Sequence, residues 1–189
     1  MSRTDSNQEI EIKLRISGVE SARSLIFAAG FHESVPRSFE VNAVFDTPDS
    51  TLRRRGMLLR LRKTGTIFTM TVKGQASPGK YKSRPEYEVT VSNYESAQSM
   101  LLALGYQIVF LYEKFRSEFA STNESGTITL DETPIGIFLE LEGPADWIDL
   151  TAATLGFAES DYVVDSYGTL YTEFCTRHGL AGSRMVFEK

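Results

Sequence analysis

The chain has 189 residues, 41% hydrophobic and 24% charged, with a formal net charge of −5. That is the composition of one compact globular domain, and it argues against a general polyanion binder, which would be basic overall. No apolar run reaches the roughly 20 residues of a membrane-spanning helix. One cysteine, Cys175, excludes an internal disulfide framework, and two separated histidines, His32 and His178, argue against a zinc site. A cytoplasmic location is expected, with neither nucleic acid nor membrane as partner.

In chain order, residues 1–8 read as a flexible polar arm without the apolar centre of a secretory leader. Alternation predicts a strand over 9–16, with Glu9, Glu11 and Lys13 on one face and Ile10, Ile12 and Leu14 on the other. Residues 19–31 predict a helix with Ala22, Leu25, Ile26 and Ala29 in one stripe, closed by Gly30 before Phe31. A strand is expected over 34–46, and Arg53, Arg54 and Arg55 read as a solvated segment. Strands over 57–64 and 66–73 flank a turn at Gly65. The first aligns Arg60 with Arg62, and the second sets Thr69, Thr71 and Lys73 against Phe68, Met70 and Val72.

Gly74 to Lys80 has the spacing of a nucleotide-binding P-loop. Tyr81 stands where Ser or Thr would hold Mg²⁺, Pro78 lacks an N–H, and a strand rather than a helix follows. The segment reads instead as a flexible hairpin loop or lid. The strand over 80–91 aligns Lys82, Arg84, Glu86 and Glu88 against Tyr87, Val89 and Val91. A second helix over 94–106 again ends in glycine and an aromatic, Gly105 and Tyr106. The strand over 106–120 sets Lys114, Arg116 and Glu118 against Phe115 and Phe119. A turn is expected at Asn123-Glu-Ser-Gly126. Strands over 126–131 and 136–142 then align Thr127, Thr129 and Asp131, and Glu140 with Glu142. A third helix over 145–157 ends in Gly156 and Phe157, with Trp147 and Leu150 expected in the core. The last helix starts at the N-cap Ser166 and is closed by Gly179, and Cys175 on it is expected buried. Residues 9–180 form the domain, and 181–189 a tail. Both histidines are expected on the surface.

A half-exposed sheet also alternates apolar with polar residues, with no function attached. Here the charges are sorted by strand, and the amphipathic helices need apolar faces to cover. The fold expected is therefore α+β: an eight-stranded antiparallel closed β-barrel, a tunnel with helices packed outside and charged faces turned inward. So many enclosed charges need neutralising. Arginine forks and lysines suit phosphate oxygens, and carboxylates suit Mg²⁺ or Mn²⁺. Acids and bases in one cavity therefore describe a metal–triphosphate site.

Glu9-x-Glu11-x-Lys13 resembles the signature of the CYTH superfamily, the triphosphate tunnel metalloenzymes that include class IV adenylate cyclases and thiamine and inorganic triphosphatases. The likeness continues through Phe45-Asp-Thr-Pro48, Leu58-Leu-Arg-Leu-Arg62, Thr71-Val-Lys-Gly74, Arg84-Pro-Glu-Tyr-Glu88, Glu113-Lys-Phe-Arg116, Leu130-Asp131, Leu139-Glu-Leu-Glu-Gly143 and Ser166-Tyr167. The resemblance implies Glu9, Glu11 and Lys13 as the catalytic set. It implies Lys13, Arg60, Arg62, Lys73, Arg84, Lys114 and Arg116 as phosphate contacts. Glu9, Glu11, Glu86, Glu88, Asp131, Glu140 and Glu142 would serve Mg²⁺ or Mn²⁺, with Glu86, Glu88 and Asp131 either binding metal or holding the bases. Many relatives carry a basic residue where this chain has Asp165, which leaves one family phosphate contact without a counterpart. The expected substrate is a small triphosphate: ATP, inorganic triphosphate or thiamine triphosphate. Hydrolysis is favoured over cyclisation of ATP to cyclic AMP, and a non-catalytic polyphosphate sensor is the third reading. The oligomer is a monomer or a homodimer.

Overall fold

The computed structural model describes residues 8–121 and 125–188. Residues 1–7 of the expected arm, Asn123 and Glu124 of the expected turn, and Lys189 lie outside the described residues. Eight strands form the body: β1 Gln8–Ile16, β2 His32–Asp46, β3 Leu58–Thr64, β4 Ile67–Lys73, β5 Lys82–Val91, β6 Gln107–Ala120, β7 Thr127–Thr133 and β8 Gly136–Glu142. Their spatial order is β2-β3-β4-β5-β1-β8-β7-β6, and β6 pairs back with β2. Every one of these pairings is antiparallel. The α+β fold with a closed eight-stranded barrel is therefore as expected, and closure removes the free edges an open sheet would present. The β2–β6 seam runs from His32↔Ala120 to Asp46↔Gln107. It carries register shifts, one of them between Val44 and Phe45, of the kind that bend strands at barrel corners.

Helices α1 Val19–Ala28, α3 Tyr94–Ala103, α4 Ala145–Thr154 and α5 Tyr167–His178 pack outside, and a short α2 Thr51–Arg54 precedes β3. The glycine–aromatic endings of α1, α3 and α4 are three copies of one closure. Gly30, Gly105 and Gly156 take φ of 88°, 88° and 87°. The N–H groups of Phe31, Tyr106 and Phe157 then bond back to the carbonyls of Ile26, Leu101 and Ala152. Glycine adopts this left-handed turn without the steric cost a side chain adds. Ser166 caps α5 by accepting the Thr169 N–H at 3.1 Å.

The helices explain which strand faces turn inward. Ile12, Leu14, Ile128, Leu130, Leu139 and Leu141 are buried against Ala22 and Ile26 of α1 and Trp147 and Ile148 of α4. Ala43 and Leu61 are buried with Ala97 and Leu101 of α3. Each large apolar side chain so covered is worth about 1.5–3 kcal/mol. With the apolar faces committed outward to helices, the period-two pattern sends their charged neighbours into the lumen.

Four expectations are corrected. Leu150 is exposed, because the buried stripe of α4 is Trp147, Ile148, Thr151 and Ala152. The indole of Trp147 lies so close to Gly126 that a Cβ there would sit 2.3 Å from it. The last residues are not only a tail: β9, Arg184–Met185, pairs in parallel with Leu111 and Tyr112 of β6, and Met185 is buried. The strand expected from residue 80 begins at Lys82, because Lys80 and Tyr81 turn away to α4. There the Lys80 ammonium lies 2.9 Å from both Asp149 and Glu159, and the Tyr81 hydroxyl donates to Asp149 at 2.8 Å. The loop expected to be a free lid is thus fastened to α4 and to the 3-10 turn Glu159–Asp161. Other strand ends lie within a residue or two of expectation. His32 and His178 are exposed and Cys175 is buried, as expected.

Candidate active site

One cavity of about 750 Å³ runs through the barrel. Glu9, Glu11 and Lys13 of β1 border it, as do Arg60 and Arg62 of β3, Lys73 of β4, and Lys82, Arg84, Glu86 and Glu88 of β5. Lys114, Arg116 and Glu118 of β6 and Glu140 and Glu142 of β8 complete the charged lining. Asp131 of β7 lies just behind it, fully buried. The acids and bases that share strand faces in the sequence thus come together around one lumen.

Their pairing divides the lumen. On the β6–β7–β8 side the acids are saturated with cations. Asp131 accepts from Lys114 at 2.8 Å, from Arg116 at 2.7 Å and from the Tyr167 hydroxyl at 2.7 Å. Glu140 pairs with Lys13 at 3.3 Å and with Arg116. Burial alone would raise the Glu140 pKa, but Lys13, Arg116 and Lys114 hold it well below the usual carboxylate range. Glu40 of β2 behaves likewise: burial opposes its charge, yet Lys114, Arg116, Arg62 and Arg60 bring it down to about 2.

On the β1–β5 side acids are crowded together. Glu9 pairs with Lys73 and, at 3.2 Å, with Arg84. Glu86 also meets Lys73, at 2.8 Å, and Glu11 meets Lys13 and Lys82, each at 3.2 Å. The register places Glu11 directly opposite Glu142. Among the described residues no cation lies within ion-pair distance of Glu142. Burial between the strands and the charges of Glu9, Glu11 and Glu86 push its pKa up to about 7, against the pull of Lys73. Because the residue still meets solvent, the acid crowding is the firmer cause. Glu9 is raised too, by burial and by Glu11. Lys82 is brought down to about 8 by burial and by the charge of Lys13.

Several residues of the lumen escaped the sequence reading. Glu40 and Asn42 are buried on the inner face of β2. Their signal was available, since Glu40, Asn42, Val44 and Asp46 alternate along the expected strand. Tyr112 reaches Arg60, and Tyr167 reaches Asp131; Tyr112 was also readable, since it alternates with Lys114 and Arg116, and Tyr167 stands in the Ser166-Tyr167 motif. Arg53 is exposed, as expected of a solvated segment, and also borders the cavity, whereas Arg54 turns to Asp49. The cause is Asp46, whose carboxylate accepts the backbone N–H groups of Thr47, Leu52 and Arg53 and so fixes α2 at the barrel rim. Asp165 is exposed. Among the described residues some buried polar atoms have no hydrogen-bond partner: Arg60 Nε, both amide atoms of Asn42, Thr129 Oγ1 and Glu40 Oε2, the last 3.7 Å from the Lys114 ammonium.

A family model described as the CYTH domain matches residues 7–154. The chain belongs to the CYTH family. Among its CYTH relatives, a protein of Aeromonas hydrophila named adenylate cyclase CyaB is 26% identical over 179 residues, covering 94% of this chain and 83% of the relative. A Pyrococcus horikoshii OT3 structure superposes with a TM-score of 0.76 at 21% identity, covering 88% of this chain and 99% of that one. A Hippeastrum structure, that of a protein proposed as an adenylyl cyclase and described as having a dominant triphosphatase activity, gives a TM-score of 0.63 at 16% identity, covering 92% and 97%. These structures share the CYTH barrel as a fold.

The donors of this CYTH lumen suit a hard divalent cation, because they are all carboxylate oxygens. Their arrangement is open. Among the described residues no three acidic, histidine or cysteine side chains converge tightly enough to cage a metal. Glu9 and Glu11 are instead engaged by lysines and arginine. Glu142 and Glu9 are the lumen acids raised by their surroundings, whereas burial opposes the charge of Glu11 but Lys13 and Lys82 hold it well below the usual carboxylate range. Asp131 and Glu140 are already neutralised.

Proposed function

We propose that this CYTH protein is a divalent-metal-dependent enzyme that hydrolyses a small triphosphate. The observation that carries this reading is the set of lysines and arginines gathered around one lumen, with Arg60 Nε buried and without a hydrogen-bond partner among the described residues. An anion supplies acceptors to such a set, and a buried unpaired donor costs about 1–3 kcal/mol. Arg60, Arg62, Lys73, Arg84, Lys114 and Arg116 bind phosphate oxygens, the arginines as planar forks. Asp131 and Glu40 hold these bases in place. Glu9, Glu11 and Glu142 would hold Mg²⁺ or Mn²⁺, with Lys13 between the acids and the phosphates. A bound divalent cation supplies charge neutralisation at the phosphoryl oxygens. Water attacks the terminal phosphorus, the bond to the bridging oxygen breaks, and orthophosphate leaves.

A second reading is cyclisation, in which the 3′-hydroxyl of ATP attacks the α-phosphorus and pyrophosphate leaves. The name of the Aeromonas relative favours it, whereas the activity described for the Hippeastrum protein favours hydrolysis. Product analysis with ATP, inorganic triphosphate and thiamine triphosphate under Mg²⁺ and Mn²⁺ separates the two. Orthophosphate as the main product is expected, and cyclic AMP as the main product overturns hydrolysis.

A further inference from the structure

Strands β1 and β5 separate part-way along the barrel wall. They pair from Gln8↔Pro85 to Glu11↔Lys82, where β5 begins. β1 runs on to Ile16 with β8 along its other edge. Beyond Glu11, the edge that faced β5 needs another partner for its backbone groups. The stretch after the 3-10 turn supplies one: the Lys13 N–H donates to the Val163 carbonyl at 2.8 Å, and the Val163 N–H donates to the Lys13 carbonyl at 2.9 Å. Here the wall is therefore built from two separate segments, the loop ahead of Lys82 and the stretch around Val163.

Each segment leads directly to a lumen cation. The ammonium groups of Lys82 and Lys13 both lie 3.2 Å from Glu11. Outside the barrel, one carboxylate joins the two segments. Asp149 of α4 accepts from Lys80 at 2.9 Å and from the Tyr81 hydroxyl at 2.8 Å, both on the loop. It also accepts from the Tyr162 hydroxyl at 3.0 Å, on the other segment. The Lys80 ammonium lies over the rings of both tyrosines, 5.3 Å from the Tyr81 centroid and 5.6 Å from that of Tyr162. Lys80 is two residues from Lys82, and Tyr162 adjoins Val163, which is bonded to Lys13. Ion pairs this exposed add little to stability. Three donors from two segments on one carboxylate nevertheless fix where those segments lie.

We infer that Asp149 is a positioning residue for the lumen: from outside the barrel it sets the places of Lys82 and Lys13 about Glu11, and with them the grip on a bound anion. It touches no bound group and acts through the two backbone segments it joins. This rests on the triphosphate reading of the lumen and adds a determinant of that binding that lies outside the lumen.

Asp149→Ala tests it, since it removes the shared acceptor and no lumen side chain. Amide hydrogen exchange reads the two segments. The Ser77 N–H, which donates to the Ser83 carbonyl at 2.8 Å, and the Lys13 and Val163 N–H groups should exchange about tenfold faster than in the wild type. Calorimetry with inorganic tripolyphosphate and Mg²⁺ reads the grip, and the dissociation constant should rise about tenfold, since small displacements in a positioned site can cost up to about 100-fold. Lys80→Ala spares both tyrosine bonds to Asp149 and should move both readouts the same way by less. Arg23→Ala breaks a different outside ion pair, with Glu33 at 2.9 Å, and should leave the dissociation constant within about twofold. The decisive readout is coupling to Lys82. Added to Lys82→Met, Asp149→Ala should weaken tripolyphosphate at least about threefold less than it does alone, whereas independent effects multiply to within about twofold. The inference is overturned if Asp149→Ala leaves tripolyphosphate affinity unchanged, if Arg23→Ala weakens it equally, or if the Asp149→Ala and Lys82→Met effects multiply in full. A wild type that binds no tripolyphosphate sinks the triphosphate reading itself, and the positioning role with it.

Discussion

Glu140 and Glu142 lie two residues apart on the same face of β8, and their surroundings set them to opposite tasks. Glu140 sits between Lys13 and Arg116 and is held firmly ionised. Glu142 faces Glu11 across the ladder and is pushed up to about 7. Asp131 and Glu140 hold bases, whereas Glu142, at the end of β8 beside Glu9 and Glu11, has no cation within ion-pair distance among the described residues. Residue type and strand face thus do not settle how a carboxylate titrates, and the charge of its cross-strand neighbours decides.

The sharpest way to break this comparison is to remove one acid from each side. Asp131→Ala should destabilise the fold by about 3–5 kcal/mol, because it takes the shared carboxylate from Lys114 and Arg116, leaving them Glu40 and Glu140 alone, and deprives Tyr167 of its acceptor. Denaturant unfolding measures this, and a loss under about 1 kcal/mol would mean the bases hold themselves. Glu142→Gln should behave differently: it relieves like-charge crowding, so the melting temperature should hold or rise. Its metal affinity and turnover should fall by about 10–100-fold, the usual cost of disturbing a metal's ligands. Equal loss of stability in both variants would erase the distinction.

A smaller effect tests the bases. Arg62→Ala should raise KM for a triphosphate by about tenfold or more, in line with about 1.5–3 kcal/mol for a hydrogen bond to a charged group, with a lesser change in kcat. Steady-state kinetics distinguishes this from a folding defect.

The smallest signals are in proton linkage, and their signs differ between the two sides. Glu142 is raised from its ordinary 4.5 to about 7. Between those values the folded chain therefore holds more protons than the unfolded one, and this contribution to stability declines as pH rises. A cation arriving there should expel a proton, so Mg²⁺ binding near pH 6 should release protons. Lys82 is depressed from 10.5 to about 8. Its folded form holds fewer protons above pH 8, so stability gains as pH rises from there to about 10.5. An anion arriving beside Lys82 restores its charge, and triphosphate binding near pH 8.5 should take up protons. Calorimetry in buffers of different ionisation enthalpy reads both, and Glu142→Gln should abolish the first alone.

Much of this was legible beforehand. The alternation of Glu9, Glu11 and Lys13 with Ile10, Ile12 and Leu14 located a strand and both its faces, because the period of a strand is fixed by its backbone. The three glycine–aromatic helix ends were readable because only one local conformation suits them. Glu40 and Asn42 were equally readable by alternation yet passed over, since β2 shows no sorting of charge by sign. Arg53 could not be read. Three arginines in a row look alike until Asp46 anchors α2 and turns one of them to the cavity.

The amino-acid order alone therefore determined the elements, the faces of each strand and the inward convergence of charge, all of which follow from local geometry and the need to bury apolar stripes. The closed β2–β6 seam and the pairing of each acid with lysine, arginine or another acid were decided only in three dimensions. They depend on which strands lie side by side and in what register, and those are contacts between residues far apart in the chain.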